Sequence, residues 1–231
     1  ALKSGRTIDK LFIASGDTDK NLQRLAAQAK DAGAVIVPVD RRKLDAMSFT
    51  RSHQGVIALA AAHDYYTIDD ILEEAAGRGE APLIVICDEL SDPHNLGAIL
   101  RSAECAGAHG VIIPKRRSVG LTATVAKASA GAMEYMKVAR VTNISAAMQE
   151  LKEKGVWIFG TAAEGAIPMY QADLKGPSAV VIGNEGVGMS QLVRKNCDVI
   201  VSIPMNGHIS SLNASAAASI LLYEAVRQRL G

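Results

Sequence analysis

The 231-residue sequence predicts an α/β protein in two parts, a small α/β domain followed by a larger domain built on a mainly parallel sheet. Three observations lead to this class. Short apolar runs alternate with amphipathic helical stretches along the chain. A stretch rich in acidic residues, Gly and Pro interrupts that alternation at residues 67–82. The first apolar run after the interruption, residues 83–87, is continuous, which is typical of a strand buried on both faces of a sheet.

The first part, residues 1–66, is predicted to be a small α/β domain. Its patterns predict a helix at residues 20–30 and strands at residues 11–14, 34–39 and 56–62. This part contains ten Lys or Arg and seven Asp or Glu, which gives a net charge of +3.

Residues 67–82 are predicted to be a linker. Thr67 can cap a short helical pattern that extends to Leu72, and residues 76–82 have the Gly and Pro punctuation of a connection between domains. Residues 67–81 contain one Lys or Arg and five Asp or Glu, a net charge of −4. The acidic stretch therefore stands apart from both neighbours.

The second domain is predicted to span residues 83–231, with helices between most of its strands. The strands are predicted at residues 83–87, 110–114, 138–141, 156–160, 179–183 and 199–203. This alternation favours a mainly parallel sheet with helices on both faces. The last helix, residues 212–230, is more apolar than a solvent-facing helix needs to be, so it should pack on the sheet, on a second subunit, or on both.

Composition excludes several classes of protein. No apolar run reaches the roughly 18 residues of a membrane span, so we expect no membrane segment. The three cysteines form no CxxC pair and have no neighbouring His at ligand spacing, so we expect core residues in a reducing cytoplasm and no metal site. The net charge of +1 gives no global signal for a polyanion, so nucleic-acid binding would depend on local patches.

The first of three polar clusters is Asp-Pro-His-Asn-Leu-Gly-Ala-Ile-Leu-Arg-Ser-Ala at residues 92–103. Pro93 disfavours helix at the residue before it, and Asn95 is a good N-cap for a helix that begins at Leu96. Arg101 then lies about one and a half turns into an otherwise apolar helix. Its guanidinium must either extend to solvent or meet an anionic partner.

The second cluster is a strand that runs into a glycine-rich turn, Val-Val-Ile-Gly-Asn-Glu-Gly-Val-Gly-Met at residues 180–189. Gly183, Gly186 and Gly188 allow the backbone to approach a ligand closely. Their spacing differs from the GxGxxG of dinucleotide-binding loops, and no acidic residue follows about 20 positions later. An NAD site is therefore disfavoured, whereas Glu185 is either a solvated loop carboxylate or a functional group.

The third cluster is Ile-Pro-Met-Asn-Gly-His-Ile-Ser-Ser-Leu-Asn-Ala-Ser at residues 203–215. Ser210, Ser211 and Asn213 can cap the last helix, whose N-terminus attracts anions. Capping explains one of these polar residues but not all of them. His208 has no acidic neighbour to orient it, and no GxSxG elbow marks a hydrolase serine.

Together the three clusters resemble the signature motifs of the SpoU (TrmH) family of RNA ribose 2′-O-methyltransferases, over residues 83–231. Ala214, where Val is expected, is one departure. The resemblance implies a trefoil-knotted α/β domain, a homodimer, and S-adenosylmethionine as cofactor. It also implies cofactor contacts from the backbones near Thr161, Gly183, Ile203, Met205 and Leu212.

The resemblance further implies that Arg101 acts at the target ribose. A guanidinium is a poor base, because its pKa leaves almost none of it neutral at pH 7. We therefore expect Arg101 to stabilise the forming 2′-oxyanion and bind the adjacent phosphate, with a true base role as the alternative. Asn95 and Glu185 would orient Arg101, while Ser211 and Asn213 would bind the ribose or the methionine end of the cofactor.

Residues 1–66 resemble the RNA-binding substrate domain of family members that methylate a guanosine of large-subunit ribosomal RNA. The resemblance rests on Arg-Ser-His-Gln-Gly-Val at residues 51–56. Candidate RNA-binding residues are Arg41, Arg42, Arg51, His53 and Gln54. Methylation of transfer RNA, methylation of a ribosomal adenosine of the antibiotic-resistance type, and a non-catalytic role in ribosome assembly remain alternatives.

Overall fold

The computed structural model describes residues 7–16, 19–48, 53–163 and 166–231. These residues form two compact units. The N-terminal unit contains the described residues up to Asp64 together with Gly120–Ala123, and the C-terminal unit contains Tyr65–Val119 and Thr124–Gly231. The predicted α/β class is confirmed.

The N-terminal unit is a three-stranded sheet with two helices, in the strand order β2-β1-β3. Strand β1 is parallel to β2 and antiparallel to β3. Leu11 and Ala29 share one apolar cluster of this unit, and Ala14 and Leu44 share another. The elements are β1 (Ile8–Ala14), α1 (Lys20–Asp31), β2 (Val35–Val39), α2 (Arg41–Met47) and β3 (Val56–Ala60).

The C-terminal unit is built on a seven-stranded sheet whose neighbouring strands are all parallel. Its first elements are α3 (Ile68–Arg78), β4 (Leu83–Cys87), α4 (Pro93–Cys105), β5 (Gly110–Pro114), α5 (Ala123–Ala128), β6 (Val138–Val141) and α6 (Ile144–Glu153). They are followed by β7 (Trp157–Thr161), β8 (Ile167–Pro168), β9 (Ser178–Ile182), α7 (Gln191–Asn196), β10 (Val199–Ser202) and α8 (Ala214–Leu230).

The strand order of this sheet is β6-β5-β4-β9-β7-β10-β8. Strands β4, β5 and β9 are buried at every residue, as their continuous apolar sequences require. Because the strands are parallel, all their carboxyl ends meet at one edge, which we call the carboxyl edge, and their starts form the amino edge. Loops that leave the carboxyl ends of parallel strands are the usual ligand-binding part of such sheets.

The region expected to be a linker contains helix α3, which continues the short helical pattern predicted from Thr67 to Leu72 as far as Arg78. Thr67 and Asp70 form a reciprocal capping box at its start, and Ile68 and Ile71 are buried in the core of the C-terminal unit. Gly79 ends the helix with a φ of 69°. The glycine and proline signals therefore mark a helix end and the approach to β4, and the acidic residues of the first turn suit a helix N-terminus.

Helix α8 packs against α4 and β9. Ala218, Leu221 and Leu222 on its inner face are fully buried, while Tyr223 is half exposed. None of the helices in the described residues is long and apolar enough to cross a membrane.

Candidate active site

The start of helix α4 differs from the sequence prediction. The carboxylate of Asp92 accepts from the backbone N–H of His94 at 2.8 Å, so Asp92 is the N-cap and Pro93 is the first helical residue. The prediction that Asn95 caps a helix beginning at Leu96 is wrong. The fixed φ of Pro93 suits the first helical position, which moves the helix start forward and leaves the Asn95 side chain free for other partners.

Asn95 joins the three polar clusters. It is buried, and its Nδ2 donates to Glu185 Oε1 at 2.9 Å. Its Oδ1 accepts from Asn213 Nδ2, also at 2.9 Å. Asn213 in turn caps α8, because its Oδ1 accepts from the N–H groups of Ser215 and Ala216. The carboxylate therefore fixes the side-chain amide of Asn95, which in turn fixes that of Asn213, and we call Asn95, Glu185 and Asn213 the amide-carboxylate network.

The turn after β9 is closed by its own side chain. Asn184 Oδ1 accepts from the N–H groups of Gly186 and Val187 at 2.9 and 3.3 Å. A Cβ on Gly183 would lie 2.3 Å from Met189 N and 2.4 Å from the carbonyl carbon of Gly188. Gly183 is therefore required for the turn itself to close, a constraint that exists without any ligand.

A cavity opens beside the amide-carboxylate network at the carboxyl edge. Glu185 and Ser211 line it, and so do all five residues expected to bind the cofactor, namely Thr161, Gly183, Ile203, Met205 and Leu212. Met205 and Leu212 are about two-fifths exposed, so they present apolar surface beside polar loops. Such a mixed wall suits a ligand with both an apolar and a charged part.

Arg101 lies away from the residues expected to orient it. It follows Asn95 by six residues, about 9 Å along the helix and on another face. Its side chain is exposed, and no described residue holds the guanidinium. Asn95 bonds Glu185 and Asn213 rather than Arg101. The exposed guanidinium is therefore available to an external anion.

The sequence did not indicate several residues that support this site. Asp88, which is buried, accepts from the backbone N–H of Ser190 at 2.8 Å and ties the end of β4 to the turn after β9. The hydroxyls of Ser102 and Ser219 share a 2.7 Å hydrogen bond that links α4 to α8. A small polar residue in the middle of each helix was the only available signal, and it does not name a partner.

The thiol of Cys87, at the end of β4, is unreactive at neutral pH. Burial raises the pKa of the Cys87 thiol to about 12, and the charges of Glu185 and Asp88 add to the effect. A thiol in this state is not a nucleophile at neutral pH. Residues 7–16, 19–48, 53–163 and 166–231 contain no group of three or more His, Cys, Asp or Glu that could hold a metal ion.

The N-terminal unit exposes part of the predicted RNA-binding set. Arg41 and Arg42 are exposed at the start of α2, and Gln54 is exposed in the turn before β3. His53 has both ring nitrogens engaged, because Nδ1 accepts from the N–H of Gly55 and Nε2 bonds Asp45 Oδ1. Its side chain is 9% exposed, so His53 holds the turn. Arg51 lies outside the described residues.

Comparison with known proteins agrees with this arrangement. Residues 82–223 match the family model described as the SpoU rRNA Methylase family, and residues 1–66 match RNA 2′-O ribose methyltransferase substrate binding. The Bacillus subtilis (strain 168) TrmH-family protein YacO is 48% identical over 228 residues, covering 99% of this chain and 91% of that protein.

A second relative, the 23S rRNA (guanosine-2′-O-)-methyltransferase RlmB of Ralstonia nicotianae, is 45% identical over 225 residues, covering 97% of this chain and 89% of that protein. The crystal structure of the SpoU methyltransferase AviRb from Streptomyces viridochromogenes in complex with AdoMet has a TM-score of 0.66 and 28% identity, covering all of this chain and 86% of that one. The chain therefore belongs to the SpoU rRNA methylase family.

Proposed function

We propose that this protein transfers a methyl group from S-adenosylmethionine to the ribose 2′-hydroxyl of a guanosine in 23S ribosomal RNA. The observation that carries the proposal is the amide-carboxylate network, which joins all three family motifs beside one cavity. The RNA substrate and its guanosine are supported by the substrate-binding match at residues 1–66 and by relatives named for that reaction.

The cavity fits S-adenosylmethionine chemically. Ile203 and Leu212 offer apolar surface for the adenosine part, and the loop backbones offer N–H and C=O groups for its polar edges. Glu185 supplies negative charge on the same wall, which suits a sulfonium and an ammonium group. When bound, the cofactor supplies an electrophilic methyl group.

The residues of the chain position the acceptor. We assign to Arg101 the binding of the phosphate beside the target ribose and the stabilisation of the forming 2′-oxyanion, because its guanidinium is exposed and unheld among the described residues. The hydroxyl proton passes to water or phosphate late in the step. The amide-carboxylate network sets the start of α4 against the cavity rather than orienting Arg101 directly. Ser211 and Asn213 remain candidates for binding the ribose or the methionine end.

The remaining assignments concern assembly and location. Arg41, Arg42 and Gln54 form the RNA-facing surface of the N-terminal unit, with Arg51 as a further candidate. A homodimer formed through α8 would cover its exposed apolar residues, such as the half-exposed Tyr223. A cytoplasmic location follows from a ribosomal substrate. The trefoil threading of the C-terminal unit stays a prediction.

The test is a methyl-transfer assay with labelled S-adenosylmethionine and unmodified 23S RNA transcribed in vitro, followed by mapping of the methylated nucleotide. We expect one guanosine 2′-O-methyl group. A methylated adenosine, or transfer to transfer RNA alone, would replace the proposed substrate with one of the alternatives. RNA binding without cofactor binding would identify an assembly factor.

Substitution tests the cofactor site separately. Leu212→Glu places a charge on the apolar wall, and we expect S-adenosylmethionine affinity to fall by at least about tenfold in a folded protein. Gly183 is a poor choice for this test, because a side chain there would break the turn before it met any ligand. Unchanged affinity in Leu212→Glu would exclude the proposed pocket.

A further inference from the structure

A basic triplet at the carboxyl edge has no part in the roles assigned above. Lys115, Arg116 and Arg117 follow directly after β5. Arg116 and Arg117 are exposed, with 79% of the Arg117 side chain open to solvent, and Lys115 is half-buried. Three consecutive cations thus lie on the same edge of the sheet as the cavity.

The turn that presents these cations is firmly held. Lys115 N donates to Val141 O at 2.8 Å and continues the pairing of β5 with β6. Ser118 Oγ and Val119 N both donate to Leu90 O at 2.9 Å. The triplet is therefore fixed to the loop that follows β4 and is not a freely moving surface run.

Glu89 connects the triplet to the wall of the cavity. Its carboxylate pairs with Arg117 Nη1 at 3.1 Å. Its backbone carbonyl accepts from Asn184 Nδ2 at 2.9 Å, and Asn184 lines the cavity. A single residue thus separates the cations from the cavity wall.

Both partners of this ion pair have strained backbones. Glu89 has a φ of 59° and Arg117 a φ of 55°, in the left-handed region that non-glycine residues seldom adopt. Such strain persists only where surrounding bonds fix it, and it concentrates at binding and catalytic sites. Here it holds an exposed arginine where glycine or asparagine would fit more easily.

The chemistry of the triplet suits a phosphodiester chain. An exposed ion pair such as that of Arg117 with Glu89 contributes little stability, so an incoming phosphate can displace the carboxylate. Arginine binds phosphate with two parallel hydrogen bonds, and Lys and Arg side chains neutralise the phosphates of a nucleic-acid backbone. We propose that Lys115, Arg116 and Arg117 form a phosphate rim that binds the RNA backbone next to the methylated nucleotide, an inference that rests on the function proposed above.

Neutral substitutions in the 231-residue chain test the rim without breaking its turn. Arg117→Asn removes the cation and introduces a residue that tolerates positive φ, so the turn should be retained. Arg116→Gln removes a second charge, and the triple variant Lys115→Gln, Arg116→Gln, Arg117→Asn removes all three. Lys175→Gln is the matched single-charge control, because Lys175 is exposed in the loop before β9 at the amino edge.

The measurement is the affinity for unmodified 23S RNA transcribed in vitro at several salt concentrations, with kcat and KM for methyl transfer. In the triple variant we expect at least about tenfold weaker binding and a slope of log affinity against log salt that is smaller by about 2. KM for RNA should rise while kcat stays within about threefold, and cofactor affinity should not change. Arg116→Gln should weaken binding more than Lys175→Gln.

The outcomes separate this inference from the proposed function. If the wild type methylates the transcript and the triple variant equals it in affinity and salt slope, the rim is overturned and the function stands. If the wild type binds the transcript through the triplet but does not methylate it, the rim stands and the substrate assignment fails. Equal losses of RNA affinity in Arg116→Gln and Lys175→Gln would also overturn the rim. They would mean that the loss of any positive charge weakens RNA binding, wherever that charge lies on the protein.

Discussion

The two edges of the seven-stranded sheet are both polar, but their polar side chains have different partners. At the amino edge, Arg229 donates to the backbone carbonyls of Ala81, Pro82, Leu174 and Gly176 at 2.7 to 3.2 Å. At the carboxyl edge, Asn95 bonds both Glu185 and Asn213, and Arg101, further along α4, is exposed. The guanidinium of Arg229 is therefore held by backbone carbonyls, whereas that of Arg101 is open to solvent.

At the amino edge, His109 also has its polar atoms bonded within the fold. His109 Nδ1 accepts from Leu83 N at 3.0 Å, and Nε2 bonds Glu80 Oε2 at 3.0 Å. Both ring nitrogens are thus engaged between the starts of β4 and β5. A cavity lies at this edge as well, lined by Glu80, Leu83 and Arg229 among others. Arg229 and His109 at the amino edge are thus held by bonds within the fold, whereas Arg101 has no partner among the described residues.

The largest expected effect is on catalysis through Arg101 of α4, the helix that begins at the carboxyl edge. Replacing Arg101 with Ala should lower the rate of methyl transfer by at least about a hundredfold, the scale of losing one transition-state stabiliser. Because Arg101 is exposed, unfolding temperature and cofactor affinity should hardly change. Lys should not rescue, since it lacks the planar fork. An equal loss of cofactor affinity would mean that Arg101 builds the pocket.

The next effect is on stability at the amino edge. Arg229→Ala leaves four backbone carbonyls without their charged donor, and we expect about 2–4 kcal/mol less unfolding free energy in urea. Arg78→Ala, which breaks an exposed pair with Glu74 on helix α3, is the matched control and should cost about 0.5 kcal/mol. The remaining folded Arg229→Ala protein should bind cofactor normally. A loss no larger than the control would contradict the described division of the two edges.

The smallest effect is a pH dependence. Burial lowers the pKa of His109 below its ordinary value of 6.5, although the hydrogen bond that its Nε2–H donates to Glu80 opposes the shift. In the unfolded chain His109 therefore binds a proton near pH 6.5, whereas in the folded protein it binds this proton only at lower pH. The folded protein is therefore most stable above about pH 6.5, where His109 is neutral in both states. On acidification the free energy of unfolding falls by at most about 1.4 kcal/mol per pH unit, down to the lowered pKa of His109.

The variant His109→Gln tests this assignment. Glutamine can accept from Leu83 N and donate to Glu80 without titrating, so unfolding free energy should fall less steeply between about pH 6.5 and 5 than in the wild type. His208→Gln, at an exposed loop position, should keep the slope of the wild type. Identical slopes in all three proteins would remove His109 as the cause.

Much of the fold was predictable because the burial of an element shows in the pattern of apolar residues along its sequence. The continuous apolar runs of β4, β5 and β9 indicated strands covered on both faces, and all five residues are buried in each. In region 67–82 the sequence indicated a short helix from Thr67 but not its length, because a glycine that ends a helix and a glycine in a linker look alike in sequence. The two-residue strand β8 is too short to have a period.

The sequence by itself determined the three motifs, because those depend on residue types at fixed spacings, and the family resemblance that they carry named five of the residues that line the cavity. The tertiary structure decided which of them touch. Asn95 bonds residues 90 and 118 positions away, and Asp92 rather than Asn95 caps α4. His53 holds its own turn, and Glu89 links the basic triplet to the cavity. The physical reason is that a hydrogen bond requires two groups within about 3 Å, and only folding sets that distance between residues far apart in the chain.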